Sequence, residues 1–108
     1  MIISKTPYRI SFFGGGTDYP SWYIKKGGSV ISATIDKYIY ISLRKLPPFF
    51  NHKYRIVWSR IETVKKLRQI KHKVVREMIN KYKIKEGLEI HYDGDLPARS
   101  GMGSSSVF

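Results

Sequence analysis

Apolar and polar positions alternate over much of the first half of the chain. Ile2 to Phe13 is rich in β-branched and aromatic residues and predicts a strand, with Pro7 at an edge or an irregularity. GGGTDYP, Gly14 to Pro20, breaks it with three glycines and a turn. SWYIKKGG predicts a short helix ending at Gly27, with Ser21 as candidate cap. Two strands follow, Ser29–Ile35 and Lys37–Leu43. In the second, Lys37, Ile39, Ile41 and Leu43 alternate with Tyr38, Tyr40, Ser42 and Arg44, as in a half-buried antiparallel strand. Pro47–Asn51 reads as a loop and Lys53–Ser59 as a further strand.

From Ile61 to Tyr82 the period becomes helical. Val64, Leu67, Lys71, Val74, Val75, Met78, Ile79 and Tyr82 form one stripe with charges around it. Lys71 alone interrupts the apolar face, which allows a break into two helices near Lys71–Lys73. Leu88–Tyr92 returns to strand, Asp93–Pro97 is a turn, and a glycine-serine stretch then opens a helix. Strands, helix, strand and loop in this order predict an α+β domain.

Composition narrows the function classes. At 108 residues the chain is at most one domain, and 42% hydrophobic residues suffice for a core. It has no cysteine, which excludes disulfides, thiolate metal sites and cysteine nucleophiles. His52, His72 and His91 lack the spacing of metal ligands. In MIISKTPYRISFF, Lys5, Pro7 and Arg9 interrupt what a signal peptide would need to keep apolar. No stretch approaches the roughly 20 apolar residues of a membrane span. The expectation is a soluble, cytoplasmic protein.

The net charge of +12 is concentrated in one segment. Residues 53–85 hold twelve Lys and Arg against Glu62 and Glu77, whereas the rest of the chain is close to balance. Such a segment attracts nucleic acid or anionic lipid, or is simply a solvated helix face. It lacks interleaved aromatics that would stack bases, which favours the solvated face.

Two glycine stretches carry candidate chemistry. In GMGSSS, Gly101 and Gly103 let backbone N–H groups approach an anion, and a helix starting there would present unpartnered N–H groups and a favourable dipole. Hydroxyls at Ser104, Ser105 and Ser106 add donors and a ligand for a phosphate-bound Mg²⁺. The stretch is neither a Walker A loop nor a Rossmann fingerprint, and by itself it also fits a serine-rich turn. In PYRISFFGGGTDYP, Thr17 and Asp18 place a hydroxyl and a carboxylate directly after a sharp glycine path. Asp18 suits sugar hydroxyls, whereas this stretch alone favours a cap on the short helix at Ser21–Lys26.

Taken together these stretches resemble the galactokinase, homoserine kinase, mevalonate kinase and phosphomevalonate kinase (GHMP) superfamily. The elements that carry the resemblance are Arg9, Gly14–Gly16, Thr17 and Asp18, then Pro97, Gly101, Met102, Gly103, Ser104 and Ser105. The wording GGGTDYP, YRIVWS and GLEIHYDGDLPARSGMGSSS resembles the branch acting on D-glycero-D-manno-heptose 7-phosphate. The resemblance implies ATP-dependent phosphoryl transfer to a sugar or sugar phosphate. It implies nucleotide phosphates on Pro97 and Gly101–Ser106, Mg²⁺ at Ser105, and substrate against Arg9, Gly15, Gly16, Thr17 and Asp18. The implied fold is the two-layer domain with a left-handed βαβ unit seen in the second domain of ribosomal protein S5.

Departures are visible. Gly15 and Gly16 stand where galactokinase-like members carry Glu-His, so the galactose contacts do not transfer, and Met102 replaces a leucine of similar volume. The resemblance covers nearly all 108 residues but only the family's N-terminal part. It places the catalytic aspartate, a Mg²⁺-binding glutamate and a C-terminal domain beyond Phe108, so the chain is expected to be a truncated and inactive fragment. The alternative expectation is a basic RNA- or DNA-binding module using residues 53–85.

Overall fold

The computed structural model describes residues 1–97 and residue 101. Five strands form a single sheet: β1 (Ile2–Gly14), β2 (Val30–Leu46), β3 (Tyr54–Val57), β4 (Ile61–Val64) and β5 (Gly87–Gly94). Helix α1 (Pro20–Lys26) joins β1 to β2, and helix α2 (Lys73–Lys81) precedes β5. The sheet order is β1-β2-β5-β3-β4, with β3 and β5 parallel and every other pair antiparallel. This is the α+β class that the element order predicts.

Cross-strand pairs sort the side chains into two faces. One row runs Leu43, Ile90, Ile56 and Glu62 across β2, β5, β3 and β4. On this face Tyr54, Ile56, Leu88 and Ile90 pack with Ile70 and with Val75 and Ile79 of α2 to form the core. Burying each of these aliphatic side chains contributes about 1.5–3 kcal/mol. The next row, Arg44, Glu89, Arg55 and Thr63, lies on the opposite face. There the buried Glu89 carboxylate accepts from Arg44 Nε and from Arg55 (3.0 Å) and hydrogen-bonds His91 Nε2 (2.9 Å). These contacts, His91 foremost, hold the Glu89 carboxyl below its ordinary pKa of 4.5 against the opposing effect of burial.

Three expectations are corrected. The two strands at Ser29–Ile35 and Lys37–Leu43 are one strand, Val30–Leu46. The apparent break is a bulge: Pro7 pairs with Tyr38 and Arg9 with Thr34, so residues 35–37 oppose Tyr8 alone. Pro7 sits at that irregularity on the edge strand, as its missing N–H requires.

The helical stripe from Ile61 to Tyr82 is helix only over Lys73–Lys81. Ile61–Val64 instead pairs with β3, and Leu67–Gln69 is a single 3₁₀ turn closed by Gln69 Oε1, which accepts from Lys66 N (2.9 Å). The β-branched run Ile61, Thr63 and Val64 finds a ladder partner across a tight turn, and that tertiary pairing overrides the helical period. The chain does break at the predicted place. His72 is the N-cap of α2, its Nδ1 accepting from Val75 N (3.3 Å). Glu62, buried on β4, receives the approach to the helix: it accepts from Lys71 N (2.6 Å), His72 N (3.1 Å) and Trp58 Nε1 (3.1 Å).

Ser21 is not the cap of α1. Tyr19 holds the N-cap position with no side-chain bond, and Pro20 opens the helix with φ already set.

Candidate functional site

The first candidate element begins where β1 runs out. Gly14, Gly15 and Gly16 have φ of +85°, +96° and +72°, a left-handed path that non-glycine residues resist. At Gly14 a Cβ would also lie 2.2 Å from the Ser29 carbonyl oxygen, so only glycine passes beneath the start of β2. The turn delivers Thr17 and Asp18 to an open cleft of about 390 Å³. Tyr23 of α1 and the Gly27–Val30 connection complete its walls. A carboxylate, the Thr17 and Ser29 hydroxyls and a phenol thus surround one cleft, a donor and acceptor set suited to a polyol.

Asp18 makes no hydrogen bond or ion pair within the described residues, and α1 has no side-chain cap. The helix-cap alternative for Asp18 therefore has no contact behind it. Arg9, Gly15 and Gly16 do not line the cleft; Arg9 is exposed on β1 opposite Thr34.

The second element leaves the far end of β5. Asp95 is pinned to β2 by two bonds: its N–H donates to Tyr38 O (3.0 Å) and its Oδ2 accepts from Tyr38 N (2.7 Å). Tyr8, 1% exposed on β1, donates its hydroxyl to Leu96 O (3.0 Å). Gly94 makes room for that hydroxyl, since a Cβ there would stand 2.6 Å from Tyr8 Oη. Burial, with Tyr8 beside it, also pushes the Tyr92 hydroxyl above its ordinary pKa.

Pro97 is exposed after this anchor, and Gly101 has φ +73°. Met102, Gly103, Ser104, Ser105 and Ser106 lie outside the described residues. Among the described residues no group of three or more His, Asp or Glu could hold a metal ion, and no helix is long and apolar enough to cross a membrane.

Tyr8, Tyr38, Gly94 and Asp95 are anchoring positions beside the candidate loop that sequence reasoning missed. Their only sequence signal is the Asp93-Gly94-Asp95 turn; the Tyr8 contact spans 88 residues and has none.

Residues 63–108, from within β4 through α2 and β5 to the glycine-serine stretch, match the family described as GHMP kinases N terminal domain. The fold is shared with D-glycero-D-manno-heptose 1-phosphate kinase from Bacteroides thetaiotaomicron, with a TM-score of 0.75 and 24% identity. It is also shared with a provisionally assigned sugar kinase from Campylobacter jejuni, with a TM-score of 0.63 and 24% identity. The likeness covers 96% of this chain in each case, but only 37% and 36% of the two solved chains. No curated protein sequence matches the chain.

Proposed function

We propose that this chain is the N-terminal part of an ATP-dependent sugar kinase of the GHMP type, located in the cytoplasm. Its substrate in this reading is D-glycero-D-manno-heptose 7-phosphate or a related sugar. The observation that carries the reading is the match over residues 63–108, which runs through GMGSSS, on a fold shared with a heptose phosphate kinase.

In this reading Thr17 and Asp18 accept and donate to sugar hydroxyls in the cleft beside α1. The backbone around Gly101 and Gly103 holds nucleotide phosphates, with hydroxyls of Ser104–Ser106 as further donors. Ser105 would hold Mg²⁺, which neutralises phosphate charge when bound. The Tyr8 and Asp95 anchors fix where that loop starts. Positioning and charge neutralisation supply most of the catalysis in such transfers.

The test is coupled ADP release with ATP, Mg²⁺ and heptose 7-phosphate. We expect the 108-residue chain to match the protein-free blank, and a version extended by a GHMP C-terminal domain to turn over at about 1–100 s⁻¹. An extended protein that binds neither ATP nor sugar phosphate would overturn the reading.

A further inference from the structure

Few of the cations in residues 53–85 are neutralised among the described residues: Arg55 reaches Glu89 (3.0 Å). Glu62 is spent on backbone and indole N–H groups, Glu77 faces Arg76 (3.4 Å), and nearby Glu86 is taken by Lys45 (3.0 Å). Lys53, Lys65 and Lys85 are exposed and have no carboxylate partner among the described residues.

The topology gathers these three lysines. Lys53 precedes β3, Lys65 follows its antiparallel partner β4, and Lys85 precedes β5, which runs parallel to β3. All three strand ends therefore meet at one edge of the fold, where β2 also ends opposite Gly87. There the lysines line a cleft of about 390 Å³ together with Phe50, Asn51 and His52.

Aromatic rings also enter from the loop before the basic segment. Phe49 and Phe50 stack with centroids 5.1 Å apart, Phe50 lies 5.5 Å from the His52 ring, and Phe49 is 80% exposed. Water-facing rings beside ammonium groups that have no carboxylate partner are the combination that stacks bases and neutralises phosphates.

We propose that this cleft binds single-stranded nucleic acid, with phosphates at Lys53, Lys65 and Lys85 and a base on the Phe49–Phe50 face. The site lies at the Gly87 end of β5, opposite the Gly94 end from which the candidate phosphate loop departs, and is independent of the kinase reading.

Fluorescence anisotropy with a labelled ten-nucleotide single-stranded RNA tests it. Three phosphate contacts give a slope of about −2 in log K against log salt. Phe50→Ala should weaken binding at least fivefold through lost stacking. Lys53→Glu, Lys65→Glu and Lys85→Glu together should abolish binding, and the milder Lys65→Gln should flatten the slope by about 0.7. Lys25→Glu with Lys26→Glu on α1 should leave affinity within twofold. The proposal falls if inorganic polyphosphate or anionic vesicles bind as tightly as the RNA with Phe50→Ala without effect. It falls equally if the lysine variants keep full affinity.

Discussion

The hydroxyl of Tyr8, buried on the first strand, donates to the Leu96 carbonyl 88 residues later. One side chain thus ties the strand that leads to Gly14–Asp18 to the entry of the glycine-serine loop. Gly94 is its counterpart, leaving the space that the phenol occupies.

Tyr8→Phe should therefore destabilise the fold by about 1 kcal/mol, the usual loss of one such bond. Gly94→Ala should cost more, because its methyl meets the Tyr8 oxygen. The two should couple: Gly94→Ala should be milder when Tyr8 is already Phe. Urea denaturation of the two single variants and the double variant measures this, and additive losses would mean that Gly94 matters only for its backbone.

Asp18→Ala should change stability by less than about 0.5 kcal/mol, since its carboxylate has no partner within the described residues. In the extended protein the proposed function expects it to weaken sugar binding roughly ten- to a hundredfold while sparing ATP. Calorimetry with each ligand separates these effects. Equal loss for both ligands would make Asp18 a structural residue.

Gly103→Val in the extended protein should abolish nucleotide binding with the fold retained. A β-branched side chain would fill the space a phosphate needs. Ser105→Ala should lower turnover more than nucleotide affinity. Titration with a fluorescent ATP analogue checks the first, and steady-state kinetics the second.

Glu89 predicts an acid limb in the stability curve. Its carboxyl has a lower pKa folded than unfolded, so its contribution is complete above the ordinary value of 4.5 and is lost as pH falls through the depressed value. Glu89→Gln should flatten that limb. At neutral pH it should cost about 1–2 kcal/mol, the half-exposed Arg44 and Arg55 being partly screened by water. Denaturant midpoints between pH 3 and 7 measure both effects.

The sequence by itself determined the elements whose pattern is local. β1, β5, the short helix and the alternation of Ile39, Ile41 and Leu43 follow from side-chain period and from glycine and proline, which act within a few residues. The sharp path Gly14–Gly16 into Thr17 and Asp18 was legible for the same reason: it is carried by consecutive residues. Tertiary structure alone decided the rest. Ile61–Val64 became a strand because β3 offered an open ladder, and the break at residues 35–37 became a bulge because β1 pairs with β2 on both sides of it. The Tyr8–Leu96 tether, the two guanidiniums on Glu89 and the convergence of Lys53, Lys65 and Lys85 depend on which strands lie side by side. That order reflects burial of one shared apolar face against α2, a property of the whole sheet and of no single segment.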